Sequence, residues 1–512
     1  MKLKELIGCI ERKSIHIPKG FENIEISSIC HDSRKATGTC IFVCRSGSVV
    51  DGHDFAMNAY RAGARVFIIE HEIDVPDDAL KVSVNSSSDA LYHLCEKFYD
   101  HPAKNLRLIG ITGTKGKTTL ALSIYDIANK FGISTGYIGT NGIIFAGKTH
   151  ESVNTTPDVL EMQKYLRAMV DAGIKMCVIE VSSQALWQDR IRGLTFESTV
   201  FTNLYPDHIG GAEHPTMEHY RDSKKKLFDN YGAKNIIINS DCDVSEYMIK
   251  DSAARKIIST SASGNSTCDI WSENIKKTKR GVIPGVSFDI CFKDESLGKN
   301  KKNIFFPNPA LFSIENALQI VGVCASIGID TKFAVNSLST LSVSGRFEFI
   351  TLDSKPNSLF VIDYAHNGAS LSFVLSSLRE YTKGKVIALF GSVGGRTFTR
   401  RSELGIAARE NADICILTSD NPNFEDPMSV IEDIAKEFEG FYIPLYKIPD
   451  RKEAIALAYS LADERDIVLL AGKGHENYQL ICGERVPFSE KEILLDLDKN
   501  AMYQKELGAY SI

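Results

Sequence analysis

The stretch that most constrains this chain is "LRLIGITGTKGKTTLALSIYDIANK", residues 106–130. An apolar, strand-like run ends in a glycine turn, and a helical apolar period starts directly behind it. Glycines in such a turn let backbone N–H groups curl around an anion, and the N-terminus of the next helix adds its dipole. The usual phosphate-loop pattern wants glycine, four residues, then Gly-Lys-Ser/Thr. Here Ile111 stands where the first glycine would be, and Gly113 with Gly116 supplies the flexibility instead. Lys117 offers a point charge to terminal phosphates, and the Thr118 hydroxyl a ligand for Mg²⁺. "VIEVSSQAL" supplies a carboxylate for the same ion. Its Glu180 ends a strand, the place where ligands bind in open α/β sheets.

Apolar runs alternate with helical stretches through most of the chain, which predicts an α/β fold with parallel sheets covered by helices. "CIFVCR" and "RVFIIE" read as strands of a first module, and "MCVIEV", "STVFTNL" and "NIIINS" as strands beside the glycine loop. "LFVIDYA", "KVIALFG", "ICILTS" and "IVLLAG" read as four parallel strands of a last block, while the Lys/Asn-rich 265–310 region suggests an antiparallel extension. A 512-residue chain exceeds the ~250–300 residues of a single core, so about three domains are expected. The polar "YDHPAKN" (99–105) marks the first linker, giving domains 1–102, 103–340 and 341–512. A net charge of −6 argues against nucleic acid as a partner. The start carries charges through its apolar positions, unlike a signal peptide, and no apolar run reaches the roughly 20 residues of a membrane span. The twelve cysteines are scattered, with Cys40 and Cys44 closest, which fits buried thiols of a cytoplasmic protein better than disulfides or zinc.

"GITGTKGKTT", "NTTPD" (154–158), "EVSSQAL" (180–186), "VFTNLYPDH" (200–208), "SGRFE" (344–348), "DYAH" (363–366), "SDNPN" (419–423) and "GKGHENYQ" (472–479) occur in that order. Together they resemble the Mur ligases, ATP-dependent enzymes of peptidoglycan synthesis. The likeness runs nearly end to end. It is greatest to the branch that adds the third amino acid to UDP-N-acetylmuramoyl-L-Ala-D-Glu. The family's own phosphate loop has the spacing seen here. The resemblance implies a UDP-sugar-binding domain, a central P-loop ATPase and a C-terminal Rossmann-like domain, acting as a monomer on the UDP-muramoyl dipeptide and a free amino acid.

By motif match, the resemblance assigns ATP to Gly113, Thr114, Gly116, Lys117, Thr118, Thr119, Asn316, Arg346 and Asp363, with His366 helping to order the closure. It assigns the UDP substrate to Ser33 of "HDSRK" and to Thr155, Thr156, Ser182, Gln188 and Arg190. Thr118, Glu180 and His208 serve magnesium, and in "MEHYRDSKKKLF" the register from Tyr220 selects Lys224 as a lysine carbamylated by CO₂. The catalytic set is Lys117, Lys224, His208 and Glu180, and the amino-acid set Arg396, Asp420, Asn421, Asn423, Gly472 and Glu476. Diaminopimelate enzymes of the family typically read Asp-Asn-Pro-Arg, the arginine clamping the distal carboxylate. Asn423 has no charge and cannot form a bidentate ion pair, which points to L-lysine or another amino acid without that carboxylate.

Three further departures stand out: Gln184 in place of the usual histidine, a longer stretch at "YPDHIGGAEHPTMEHY", and Asn-Gly after "DYAH". Rival readings are a folylpolyglutamate-type or related amino-acid ligase, a simple phosphotransferase, and a non-catalytic nucleotide-binding paralogue. The first would lack "HDSRK", "NTTPD" and "GKGHENYQ". The second would leave the outer domains unexplained, and the last would be favoured by loss of Lys117, Glu180, His208 or Lys224.

Overall fold

A computed structural model describes residues 1–18, 21, 24–47, 50–207, 209–210 and 213–509. The chain forms two compact units, Met1–Ile258 and Ser259–Ile512.

The first unit contains a five-stranded sheet in the order Ser14–His16, Leu80–Ser83, Val66–Ile69, Cys40–Val43, Ser28–Cys30. Only the Ser14–His16 pairing is antiparallel. Strands Cys40–Val43 and Val66–Ile69 are buried at every position, because both faces are covered. Ile41, Val43 and Ile68 pack with Leu91 and Leu94 of helix Ser87–Phe98, while Cys40, Phe42 and Phe67 share a second core with Ala56 and Ala59. Most of the cysteines are buried thiols, but Cys9 and Cys242 are half-buried and Cys482 is exposed, and Cys30 Sγ lies 3.5 Å from Cys40 Sγ.

The larger sheet of this unit holds five parallel strands in the order Ala233–Asn239, Phe196–Phe201, Arg107–Thr112, Met176–Glu180, Thr135–Gly139. Gly142–Phe145 and Lys148–His150 extend it antiparallel. The glycine loop leaves the middle strand. Helix Lys117–Phe131 follows, burying Leu120, Ala121, Ile124, Ile127 and Ala128 on one stripe. It stops at Gly132, whose φ of 97° is the left-handed closure that favours glycine.

In the second unit, Ile270–Arg280, Ile283–Phe292 and Lys301–Phe306 form the expected antiparallel set. A doubly covered sheet follows in the order Glu348–Ile350, Leu359–Asp363, Ile467–Ala471, Val386–Phe390, Ile414–Leu417, Leu445–Lys447. All its pairs are parallel except the first. The four foreseen strands are there. The fifth parallel strand, Leu445–Lys447, is short and mostly exposed, and Pro444 breaks the apolar stretch that leads into it. Among the described residues, no helix is long and apolar enough to cross a membrane.

Candidate active site

At the end of strand Arg107–Thr112 the loop folds as its glycines require. Gly113 has φ 149°, and a Cβ there would lie 1.9 Å from Thr202 Oγ1. Gly116 has φ 87° and forms the N-cap of the helix. The neighbouring strand's extension clamps the loop. Lys115 N–H donates to Asn203 Oδ1 (2.8 Å), Thr114 N–H to Asn203 O (2.9 Å), and the Thr202 hydroxyl to Lys115 O (2.7 Å). The Thr114 hydroxyl is engaged by Tyr205 N–H (3.0 Å) and Tyr220 OH (3.1 Å). Thr119 is half-buried on the first turn.

Two ammonium groups converge on one carbonyl. Lys117 Nζ donates to Gly113 O (2.9 Å) and Thr114 O (3.1 Å), and Lys224 Nζ to Gly113 O (3.0 Å). Lys224 is fully buried over the Tyr220 ring, at 4.2 Å from its centroid. Burial first, and the Lys117 charge second, hold its ammonium well below the usual lysine range. Lys225 instead pairs with Asp229 (2.7 Å) and Asp251 (3.0 Å), away from the loop carbonyl that Lys224 reaches. Thr118 donates its hydroxyl to Glu180 Oε2 (2.9 Å). Glu180 is wholly buried, and also accepts from Tyr137 OH and from Thr140 N–H (3.1 Å) and hydroxyl (3.2 Å). Two hard oxygen donors this close suit Mg²⁺. His208 lies outside the described residues.

The "NTTPD" segment packs on the same strand end. Thr156 donates its hydroxyl to Glu180 O (2.8 Å) and accepts from Ser182 N–H (3.0 Å), while Thr155 Oγ1 lies 3.3 Å from Thr140 Oγ1. Ser182 caps the short helix behind it by accepting from Ala185 N–H (3.1 Å). Arg190 grips Gln188 Oε1 (2.6 and 2.9 Å) and Thr156 O (3.1 Å). Burial lowers its pKa, opposed by Asp158 and aided by Arg45, so a partly buried cationic patch gathers there. Asp158 ties this patch to the first module through His31 Nε2 (2.8 Å). Burial raises its pKa, but the His31 hydrogen bond and charge bring it down to about 2. Ser33 opens a short turn whose neighbours Asp32 and Arg34 pair with each other.

In the second unit, Asn316 lies buried on helix Ser313–Ser326 with its Nδ2 lacking a hydrogen-bond partner, a ready donor for a ring-nitrogen or carbonyl ligand. Asp363 accepts from Phe347 N–H (2.8 Å) and Ala365 N–H (2.9 Å), locking "SGRFE" to "DYAH". Burial raises its carboxyl pKa, and Arg346 opposes this. The Arg346 guanidinium lies 5.0 Å from the centroid of the Tyr364 ring. His366 directs Nδ1 to Tyr364 O (2.8 Å).

A second corner of this unit gathers four of the six amino-acid candidates, Asp420, Asn421, Gly472 and Glu476. Lys473, fully buried, donates to Asn421 Oδ1 (2.8 Å) and Glu476 Oε2 (2.7 Å), and Asn421 Nδ2 donates to Glu476 Oε2 (2.9 Å). Buried Asp420 lies 3.8 Å from Lys473, and a Cβ on Gly472 would come 2.9 Å from its Oδ2. Asn423 turns away from this network. Its Oδ1 accepts from Gly483 N–H (2.8 Å), and its backbone bonds Leu480 and Cys482 of the hairpin Tyr478–Pro487. Arg396 is exposed at a glycine turn, and half-buried Arg400 donates to His366 O. The sequence does not single out Asn203, Tyr137, Thr140, Tyr364 or Lys473. Asn203, Tyr364 and Lys473 stand inside the motifs, but their contacts are with distant segments.

A phosphate loop with paired lysines, beside an acid at a strand tip, defines a class of ATP-using enzymes. The chain belongs to the Mur ligase family of ATP-dependent ligases. Family models match residues 25–99 ("Mur ligase family, catalytic domain"), 111–324 ("Mur ligase middle domain") and 345–474 ("Mur ligase, glutamate ligase domain"). It is 37% identical over 480 residues to the UDP-N-acetylmuramoyl-L-alanyl-D-glutamate--2,6-diaminopimelate ligase of Clostridium botulinum, covering 93% of this chain and 95% of that one. The same-named protein of Geobacillus thermodenitrificans is 36% identical, with 96% and 98% covered. A solved structure of a ligase of that name matches with TM-score 0.65 and 28% identity over 99% of both chains. A folylpolyglutamate synthase of Mycobacterium tuberculosis shares the fold alone, with TM-score 0.56 and 16% identity over 74% of this chain and 91% of that one.

Proposed function

We propose that this ligase joins 2,6-diaminopimelate to the D-Glu carboxylate of UDP-N-acetylmuramoyl-L-Ala-D-Glu. The observation that carries its ATP chemistry is the convergence of Lys117 and Lys224 on the Gly113 carbonyl, beside Thr118 and Glu180. The choice of amino acid rests on full-length relatives named for diaminopimelate. It replaces the expectation of lysine. That expectation took Asn423 as a pocket residue, yet its side chain is spent on the hairpin, so its lack of charge says little about the pocket.

The substrate carboxylate attacks the γ-phosphorus of ATP, ADP leaves, and an acyl phosphate forms. The amine of the amino acid attacks the acyl carbon, and phosphate leaves from the tetrahedral intermediate. Lys117 and the loop amides neutralise and orient the phosphates. Mg²⁺ held by Thr118 and Glu180, with His208 by resemblance, would supply further charge neutralisation. The Lys224 amine, whose pKa burial lowers, can add CO₂: an N–C bond forms, a proton leaves the nitrogen, and the side chain becomes a carbamate anion that would be able to take a second metal. Asn316, Arg346 and Asp363 are assigned to the nucleotide, Ser33, Thr155, Thr156, Ser182, Gln188 and Arg190 to the UDP substrate, and Arg396, Asp420, Asn421, Gly472 and Glu476 to the amino acid. The domains assigned are 1–102, 103–340 and 341–512.

The test is phosphate release from ATP with the UDP-muramoyl dipeptide, Mg²⁺ and bicarbonate, with diaminopimelate or lysine as acceptor. Turnover with diaminopimelate and little with lysine supports the reading, and the reverse preference overturns the choice of amino acid.

A further inference from the structure

One buried cation beneath the amino-acid corner has no place in the roles assigned so far. Arg451 opens helix Arg451–Leu461, and its side chain has no exposure to solvent. Nε and Nη2 donate to Glu490 Oε1 at 2.9 and 2.8 Å, Nη1 donates to Ser419 O at 3.1 Å, and Nη2 also donates to Ala471 O at 2.7 Å. Ser419 directly precedes Asp420–Asn423, and Ala471 directly precedes Gly472–Glu476. A single planar fork therefore spans three separate pieces of chain: both site-bearing loops and the start of helix Glu490–Ala509.

This arrangement exceeds what stability requires. A buried ion pair bears a desolvation penalty that often cancels its attraction, so apolar side chains of similar volume would hold a core equally well. Apolar groups could not hold two backbone carbonyls at the mouths of two loops. Lysine could not either, because one ammonium lacks the rigid fork that reaches several acceptors in a plane. Asp420 sits close by with an Oδ1 that has no hydrogen bond. Burial raises its pKa, and Arg451 and then Lys473 oppose this.

We propose that Arg451, braced by Glu490, is a positioning residue for the incoming amino acid, holding the Asp420–Asn423 and Gly472–Glu476 loops in the mutual register that forms its pocket. The inference rests on the reading of this corner as the amino-acid site.

The experiment uses the full chain with Arg451→Lys, Arg451→Met and Glu490→Gln, with KM for each of the three substrates and kcat measured separately. The expected result is a rise in KM for the amino acid of roughly tenfold or more in both Arg451 variants, as small misplacements of reacting groups produce. KM for ATP and for the UDP-muramoyl dipeptide should stay within about twofold, since their assigned residues make none of these contacts. Glu490→Gln keeps the shape, and is expected to move the same constant in the same direction by a smaller factor. If Arg451→Met does not fold, Arg451→Lys and Glu490→Gln carry the test. An unchanged amino-acid KM in folded variants, or an equal rise in all three constants, overturns the proposal. If the wild type prefers lysine, the choice of diaminopimelate fails, and the same split is read with lysine.

Discussion

The phosphate loop of the first unit and the corner of the second proposed to take the amino acid are both built at the C-terminal ends of parallel strands, yet they are built differently. The loop is contiguous, residues 113–118, and its work is done by backbone that only glycine can shape. The corner draws side chains from loops hundreds of atoms apart along the chain and joins them through Lys473, Asn421 and Glu476. Backbone sites fail abruptly when changed, because no rotamer can yield. Side-chain sites respond by degrees, which is where substrate choice can be adjusted without loss of the reaction.

The largest effect should come from Lys224→Ala, which removes the buried amine beside the loop. A fall of roughly 10³ in kcat is expected if that residue is needed to hold charge at the transferring phosphate. Phosphate release measured with and without bicarbonate checks it. Lys225→Ala, whose lysine pairs with Asp229 and Asp251, should leave kcat within about twofold. Equal losses in the two variants would sink the register chosen for the modified lysine.

Gly113→Ala comes next. Its Cβ would sit 1.9 Å from Thr202 Oγ1 and 3.0 Å from Asn203 N, at a φ of 149°. ATP affinity is expected to fall by about 10², while the domain stays folded at a cost of ~1–3 kcal/mol. Calorimetric titration with a non-hydrolysable ATP analogue reads the first quantity and thermal unfolding the second. Near-normal affinity would mean that the loop is not the rigid cradle its contacts imply.

That contrast also explains what could be read beforehand. The strand, glycine loop and helix at 106–130 declare themselves because a local pattern dictates a local structure, and Lys117 and Thr118 come with it. Lys224 was found in a "KKK" run only through its register from Tyr220, and its burial depends on packing against Tyr220 and Gly113. The motif places Asn423 among the pocket residues, whereas the hairpin Tyr478–Pro487 captures it, a pairing across about sixty positions that no local pattern encodes. Arg451 stands in the unremarkable "PDRKEAI", and nothing short of the fold shows that it touches Ser419, Ala471 and Glu490.

Asp158 offers a test between these extremes, since it links the first module to the central strands through His31. Its folded pKa of about 2 lies below the ordinary 3.8, so it contributes stability that is full above about pH 4 and lost as pH falls through 2. The difference corresponds to about 2 kcal/mol. Asp158→Asn keeps an oxygen to accept from Glu161 N–H at the helix cap, and so isolates the charge. The variant should unfold at lower urea than the wild type near neutral pH, with the gap closing toward pH 2. A gap independent of pH would assign the effect to packing and not to the ion pair.

The smallest expected effect is the most informative about the corner. Asn423→Arg would remove the bond from Gly483 N–H and place arginine at a φ of 53°, at a cost of about 1 kcal/mol. In exchange it would free a cation whose planar fork matches a carboxylate. The ratio of kcat/KM for diaminopimelate over lysine should rise about three- to tenfold, with turnover of the UDP-muramoyl dipeptide otherwise preserved. An unchanged ratio would mean that position 423 belongs to the hairpin whatever residue occupies it. Selection of the distal end would then rest with groups already facing the corner, and Arg396 and Arg400 would be the cations to change next.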